Sequence, residues 1–320
     1  MRDGKLDFFK SLLIWSVVLG HCINALCPNG NALHPILRTF DLPMFMYISG
    51  FLLRSSIERY DWKQLVLNKI TNIIFPAIIW SGICFILGDR CFYYFLWAVF
   101  ASSVIVTMTN AVCKNNNAKI AVLIIVAFLF HFVPKNIVNI SFLFPFFIIG
   151  YFSQNISRIG FVKGFVSLII FVLLHIFVWD GSYAIWNTGG YVLSNPTFMI
   201  KAVLLRLVIG VVGCYTVVFL FGHFYDHFNT LKVIKIFETI GKYTLSIYLI
   251  QHILVEMFLP KLIDYLGINI NQNIFYDYIV VPITSFGFLI IMYLIVNLLN
   301  KSEYTKWLFG IRINLNKNNH

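Results

Sequence analysis

The chain has 320 residues, of which 59% are hydrophobic and only 12% are charged. Soluble domains contain about 45–50% apolar and about 25% charged residues, so this composition excludes an ordinary soluble protein and indicates one embedded in lipid. A net charge of +11 would suggest a nucleic-acid partner in a soluble protein. In a membrane protein, basic residues gather in cytoplasmic loops and near anionic headgroups, so we expect membrane lipids as partners and no nucleic acid.

Apolar runs separated by polar residues divide the whole chain. A membrane helix needs about 20 such residues, and the sixth run is short while the fifth is marginal. The pattern predicts an all-α integral membrane protein of about ten transmembrane helices, with residues 1–320 forming a single domain and no appended soluble domain. We read the first run as a retained span and not as a cleaved signal peptide. The predicted spans are 8–27, 36–53, 71–87, 92–112, 118–133, 141–152, 161–179, 202–221, 243–259 and 276–299.

The distribution of basic residues predicts the orientation. If the N-terminus is placed in the cytoplasm, 18 of the 24 lysines and arginines fall on the cytoplasmic side of the ten-span arrangement. Such an asymmetry indicates that both termini are cytoplasmic. The six cysteines are scattered singly, without a CxxC pair or a zinc-type spacing, so we expect no metal.

The first span carries ionisable side chains along one face. At about 100° per residue, Lys10 and His21 lie about 20° apart around the helix and roughly 16 Å apart along it. Asp7 lies about 40° from His21 on the other side. This stripe suggests that Lys10 holds an anionic group at the cytoplasmic mouth while His21 acts as a general base. The alternative is a histidine bonded to a neighbouring helix and a lysine whose ammonium reaches the headgroups. The stripe by itself favours neither.

The second span, RTFDLPMFMYISGFLLRSS, is interrupted by polar and small residues. Arg38 and Asp41 lie at its outer end with a spacing of three residues, at which they can pair. Ser49 and Gly50 permit a close helix approach, and packing alone explains them as well as function does.

Later spans contain further polar groups. Arg206 lies within the eighth span and needs a carboxylate partner or a water-filled cavity. His252 and Glu256 in the ninth span are one helical turn apart and can pair, close to Tyr248. The carboxylates on the same predicted side as Arg206 are Asp41, Asp180 and Glu256.

The predicted outer loop at 180–200 is rich in glycine, asparagine and aromatic residues. Its aromatic rings suit stacking on sugars, and they suit equally well a position in the interfacial aromatic belt of the membrane.

Six fragments of the chain occur in an order that resembles membrane-bound acyltransferase family 3, whose members modify cell-surface glycans and other acceptors. In the first fragment, Asp7, Lys10 and His21 match the family pattern of an acidic residue, then Arg or Lys, ten residues and His. The resemblance covers nearly the whole chain. The fragments are LDFFKSLLIWSVVLGH, DLPMFMYISGFL, NKITNIIFPAIIW, FLW, FPFFIIGY and IGKYTLSIYLIQH.

The chain departs from the family pattern at a few positions. Asp41 stands where many members have histidine, and Asn72 stands where many have arginine. Gln251 occupies the usual place of a histidine in the ninth span, and His252 follows it. These departures affect acceptor contacts and leave the Lys10 and His21 pair intact.

The resemblance implies an O-acetyltransferase of the bacterial inner membrane that takes an acyl group, such as acetyl from acetyl-CoA, in the cytoplasm. The acceptor would be a hydroxyl of a surface polysaccharide or a lipid-linked glycan. His21 would be catalytic together with Lys10 and Asp7, and Lys69 and Trp97 would join Lys10 at the donor. The acceptor or pore side would comprise Asp41, Arg38, Ser49, Arg206, Tyr248, His252 and Glu256. The alternative from the residues alone is a multi-pass transporter or flippase of an envelope solute, since interrupted spans and buried charges suit that class too.

Overall fold

The computed structural model describes residues 3–132, 140–154, 159–179, 195–267, 270, 272–303 and 305–310. Within these residues the regular structure is entirely helical, as the sequence predicts. The α-helices are α1 (Gly4–Leu26), α2 (Leu33–Ile57), α3 (Trp62–Lys69), α4 (Phe75–Ile86), α5 (Tyr94–Val112), α6 (Asn116–Leu129), α7 (Ile140–Phe152), α8 (Phe161–Phe177), α9 (Pro196–Phe228), α10 (Lys232–Gly241), α11 (Thr244–Gln251), α12 (Leu259–Leu266) and α13 (Val281–Lys301).

In the part of the chain that the structure describes, three π-helical segments interrupt this series and join neighbouring helices. Ile70–Ile74 connects α3 with α4, His252–Phe258 connects α11 with α12, and Tyr276–Val280 leads into α13. Short 3₁₀ turns follow α6 at Phe130–Phe132 and α13 at Lys306–Phe309. Such π segments are rare and occur frequently at functional sites. One of the three contains the predicted site residues His252 and Glu256.

Seven continuous helices in the described part of the chain are long and apolar enough to cross a membrane. Three shorter apolar helices, Asn116–Phe132, Ile140–Phe152 and Phe161–Phe177, coincide with the fifth, sixth and seventh predicted spans. The chain is therefore a multi-pass membrane protein, while the count of ten spans and the orientation remain predictions. The seven long helices are Gly4–Leu26, Leu33–Ile57, Trp62–Ile86, Tyr94–Val112, Pro196–Phe228, Thr244–Leu266 and Tyr276–Lys301.

The first helix begins earlier than its apolar run suggests. The carboxylate of Asp3 accepts hydrogen bonds from the backbone N–H groups of Lys5 and Leu6, which caps the helix at Gly4. Asp7 therefore lies inside α1, and its side chain is buried. The predicted boundary at residue 8 missed this first turn because the N-cap is made by a polar residue outside the apolar run.

The chain divides into two compact units. The first comprises Met1–Asp41, Pro76–Phe92 and Leu220–Phe309, and the second comprises Leu42–Phe75, Tyr93–Phe219 and Gly310–His320. The boundaries fall within α2, near the start of α4 and within α9. The two units therefore each draw on several separate stretches of sequence.

In the first unit, α1 packs against α10, α11, the His252–Phe258 segment and α13. Of its apolar window, 78% is buried, compared with 28–50% in the other six long helices. Gly241 lies so close to the backbone of Asp7 that a Cβ atom there would overlap the Asp7 carbonyl. The indole Nε1 of Trp15 donates to Ser285 Oγ on α13 at 3.0 Å. The helix that carries Asp7, Lys10 and His21 is thus enclosed by protein and shielded from lipid.

In the second unit, α2 and α7 cross at two glycines. A Cβ atom on Gly50 would overlap the Phe147 carbonyl, and one on Gly150 would overlap the Tyr47 carbonyl. The two backbones are in contact there, as small residues permit within a membrane. The packing explanation for Gly50 therefore holds.

Replacing Gly150 with alanine is expected to destabilise the protein by about 1–3 kcal/mol, because the new methyl group meets backbone that has no rotamer to adjust. The measurement is the apparent melting temperature and the monodisperse yield in detergent. Gly82→Ala is the matched control, since no atom lies within 4 Å of a Cβ there. It should be neutral or slightly stabilising, as alanine favours a helix over glycine by about 1 kcal/mol. Equal stability of the two variants would contradict the close crossing.

Candidate active site

A chain of alternating imidazole and carboxylate groups lies in the first unit. His21 Nδ1 is 2.6 Å from Glu256 Oε1, and Glu256 Oε2 is 3.0 Å from His252 Nδ1. His252 Nε2 is in turn 2.8 Å from Asp89 Oδ2. One carboxylate thus bridges two histidines from different helical segments. The predicted pairing of His252 with Glu256 is confirmed, and the structure adds His21 to it.

Three elements position these groups. His21 projects from the last third of α1, His252 and Glu256 belong to the His252–Phe258 π segment, and Asp89 lies in the short connection between α4 and α5. The hydrogen bond with His252 lowers the pKa of the Asp89 carboxyl, because it stabilises the charged form. Asp89 is therefore an anion that can hold the His252 end of this row of imidazole and carboxylate groups.

The geometry selects the tautomer of His21. An ionised carboxylate only accepts hydrogen bonds, so the Nδ1 atom that faces Glu256 carries the proton. The Nε2 atom then keeps its lone pair and is the nitrogen able to accept a proton from a substrate. With 20% of its side-chain surface accessible, His21 is enclosed but reachable. A carboxylate-oriented imidazole of this kind is suited to general-base catalysis.

The other end of the stripe on α1 forms an ion pair. Lys10 Nζ is 2.5 Å from Asp7 Oδ1, and only 3% of the Asp7 side chain is exposed, compared with 16% for Lys10. The pair holds the ammonium in place at this end of α1. Lys5, at the same end of α1, pairs instead with Asp226 at 2.8 Å.

Three further predicted residues, Arg38, Asp41 and Tyr248, belong to the first unit, and their described contacts do not assign them a role. Arg38 Nε donates to His34 Nε2 at 3.2 Å, within one turn of α2. Asp41 is buried, and Tyr248 is partly exposed on α11. Their predicted roles on the acceptor side remain predictions.

Four predicted site residues belong to the second unit. The Ser49 hydroxyl donates to the Phe45 carbonyl at 2.8 Å, a bond within its own helix. Trp97 lies on α5 with its ring 6.5 Å from that of Phe100, and Lys69 ends α3, which packs against α5. The structure thus brings the helices of Lys69 and Trp97 together within this unit.

Arg206 is buried on α9, and its guanidinium carbon lies 3.6 Å from the centre of the Phe142 ring. It borders a cavity of about 70 Å³ that also contains His131 and Ser141. Of the carboxylates considered as its partners, Asp41 and Glu256 belong to the first unit and Asp180 lies outside the described residues. The cation–π contact offsets part of the cost of burying the arginine.

A larger cavity of about 340 Å³ also lies in the second unit, bordered by Tyr47, Lys163 and Tyr215. None of the predicted site residues lines it. Acyl transfer to a hydroxyl needs a group that accepts the hydroxyl proton, and a large cavity does not by itself provide one. We therefore place the candidate active site at the His21–Glu256 pair. Residues 180–194 of the predicted outer loop, whose aromatic rings suit either sugar stacking or the interfacial belt, lie outside the described residues.

Three residues beside His252 were not predicted from the sequence, namely Cys84, Cys91 and Asp89. Cys84, Cys91 and His252 each place a donor atom within 4.8 Å of the others, and Asp89 lies between the two cysteines in the chain. The short polar sequence GDRC between two apolar runs was the only local signal. The spacing of the two cysteines matches no familiar metal motif, and His252 is distant in sequence.

Comparisons with known proteins match the part of the chain that contains α1. Residues 3–100 match the family described as an acyltransferase domain. Nodulation protein NolL from Mesorhizobium japonicum is 25% identical over 186 residues, and NolL from Sinorhizobium fredii is 27% identical over 184 residues. These alignments cover 49% of this chain and 49% and 50% of the relatives, so the chain spans about half the length of the curated relatives it matches. No solved structure matches the chain.

Proposed function

Because residues 3–100 match an acyltransferase domain and the chain is a multi-pass membrane protein, we propose that it is an O-acyltransferase. It takes an acyl group, in our proposal acetyl, from cytoplasmic acyl-CoA and transfers it to a hydroxyl of a cell-surface glycan or a lipid-linked sugar precursor. The observation that carries the proposal is His21, located within the matched domain and held by Glu256. We place the chain in a bacterial cytoplasmic membrane, because the nodulation proteins that it matches come from bacteria.

In the proposed reaction, His21 Nε2 accepts the proton of the acceptor hydroxyl as that oxygen attacks the thioester carbonyl carbon. A new C–O bond forms and the C–S bond breaks. The proton then passes from His21 to the departing thiolate, so the enzyme returns to its starting state. Glu256 acts as a positioning residue, because it keeps the proton on Nδ1 and stabilises the imidazolium while it exists.

The donor is proposed to approach from the Lys10 end of α1. CoA carries phosphates, which an ammonium binds by charge-assisted hydrogen bonds. Eleven residues of helix place His21 roughly 16 Å from Lys10, a distance that the pantetheine arm can cover in large part. Lys69 and Trp97 are proposed as further donor contacts.

The ten-span topology is part of the proposal, and packing in the first unit supports it. Gly4 lies beside Glu238 and His21 beside Glu256, so α1 runs parallel to the segment that contains α11. Trp15 lies beside Ser285 and Cys27 beside Asp277, so α1 runs antiparallel to α13.

Successive membrane crossings alternate in direction. If only the seven long helices crossed, Thr244–Leu266 would be the sixth crossing and antiparallel to α1, the opposite of the observed packing. With the three shorter helices included it becomes the ninth and runs parallel to α1. The basic residues then favour cytoplasmic termini.

The proposed function is tested with radiolabelled acetyl-CoA. Membranes that contain the protein are incubated with the donor, and the glycan and lipid fractions are extracted and counted. Label in these fractions above that of membranes without the protein supports acyl transfer. If neither acetyl-CoA nor succinyl-CoA leaves label while an envelope solute moves across the membrane, the transporter interpretation replaces the proposal.

Replacing Lys10 with alanine is expected to raise the KM for acyl-CoA by about 10- to 100-fold, because a charge-assisted contact worth about 1.5–3 kcal/mol is lost. The value of kcat should change less. Lys10→Arg keeps the charge and should retain part of the affinity. Lys5→Ala, at the same end of α1, is the matched control and should leave KM unchanged. A KM for Lys10→Ala equal to that of wild type would remove Lys10 from the donor site.

A further inference from the structure

The Cys84, Cys91 and His252 cluster points to a metal site beside the candidate active site. We propose that the two thiolates and the imidazole bind a zinc-type cation as three of its ligands. Zinc is bound in proteins by cysteine, histidine and carboxylate ligands in tetrahedral arrangements. Thiolate donors in particular select zinc over magnesium or calcium.

The distances suit one ion. The three donor atoms lie within 4.8 Å of one another. Zinc–sulfur bonds of about 2.3 Å and zinc–nitrogen bonds of about 2.0–2.1 Å place two ligand atoms of one ion roughly 3.5–4 Å apart. Only small side-chain movements are therefore needed to close the site. The Asp89 carboxylate is outside this set, and its Oδ2 contacts His252 Nε2 at 2.8 Å.

The connection after α4 is folded so that the two cysteines meet. The Asp89 N–H donates to the Cys84 carbonyl at 2.9 Å, and the Gly88 N–H donates to the Phe85 carbonyl at 3.1 Å. Gly88 has a φ of +90°, a conformation that other residues rarely adopt. This tight turn returns the chain beside the end of α4, and Cys91 follows it directly.

His252 already has the outer contacts that metal-binding histidines need. Such histidines donate their second ring N–H to a carboxylate, which fixes the ring and strengthens the ligand. Glu256 lies at Nδ1 and Asp89 at Nε2, so either nitrogen can bind the ion while a carboxylate holds the other. Binding displaces the two thiol protons and the proton of the ring nitrogen that binds the ion, and these protons pass to the solvent.

Metal analysis of the purified full-length protein tests the proposal. Wild type purified in detergent should contain about one zinc per chain, as a single-ion site requires. The double variant Cys84→Ser/Cys91→Ser should contain less than about a tenth of that. Cys113→Ser and Cys214→Ser are matched controls, one partly exposed and one buried, and should retain the metal.

A second measurement needs no variant and so does not depend on whether a variant folds. Zinc should slow the alkylation of Cys91 in wild type, a chelator should restore it, and added zinc chloride should protect it again. Cys113 in the same chain is the internal reference and should react at one rate throughout. A folded wild-type protein that holds no zinc and takes none from zinc chloride would overturn the proposal. So would a disulfide between Cys84 and Cys91 in the protein as isolated. Metal content is independent of acyl transfer, so the two proposals can fail separately.

Discussion

Replacing His21 with alanine is expected to reduce acyl transfer by about 10²- to 10⁴-fold, the usual contribution of a general base. The variant cannot accept the proton of the acceptor hydroxyl, whereas donor binding at the far end of α1 should be unaffected. The KM for acyl-CoA should therefore stay near that of wild type while kcat falls. The measurement is the rate at which label from acetyl-CoA enters the extracted glycan fraction.

The matched control is His175→Ala. This histidine also lies within an apolar helix, where its Nδ1 contacts the Phe171 carbonyl at 2.8 Å, but it belongs to α8 in the second unit. It should retain near-normal transfer, and both variants should elute from detergent columns as wild type does. Normal activity in a folded His21→Ala protein would end the assignment of His21 as the base.

Replacing Glu256 with glutamine is expected to lower kcat by about 10²- to 10⁴-fold, by analogy with other imidazoles that lose an orienting carboxylate. The amide is nearly the same size but can donate to His21 Nδ1, which favours the tautomer with its proton on Nε2. It also presents a single oxygen where the carboxylate serves two histidines, His21 at 2.6 Å and His252 at 3.0 Å. The measurement is kcat as a function of pH, together with KM for the donor.

Glu238→Gln is the control for this change. Glu238 is also a bridging carboxylate of the first unit, accepting from Tyr225 at 2.9 Å and from Lys235 at 2.7 Å, but it lies at the other end of α1. We expect its kcat to stay within about twofold of wild type. A Glu256→Gln enzyme that keeps both kcat and its pH profile would show that the carboxylate does not orient His21. A loss confined to protein yield would indicate a purely structural role.

Much of the fold could be predicted because membrane helices leave a strong local signal. The seven long helices and the three shorter ones all coincide with predicted spans. The predictions differ from the structure at the helix ends and at the π-helical segments within the spans. The N-cap at Asp3 and the π segment at His252–Phe258 are details of local hydrogen bonding, which apolar periodicity does not report.

The resemblance to the acyltransferase family is confirmed for residues 3–100, where its most specific fragment lies. The roles assigned to individual side chains remain predictions for the experiments above. Ser49 illustrates why pattern alone was insufficient. Its hydroxyl is engaged by Phe45 one turn away, while the adjacent Gly50 packs against α7.

The sequence by itself determined the membrane character, the helices and the stripe of Asp7, Lys10 and His21, because composition and helical geometry operate over short stretches of chain. Only the tertiary structure decided which carboxylate holds His21 and which groups surround His252. Asp89 and His252 are 163 residues apart in the chain, and their contact depends on how α4, α11 and the turn at Gly88 pack. Packing of this kind is set by side chains from many separate segments acting together, and no local pattern records it.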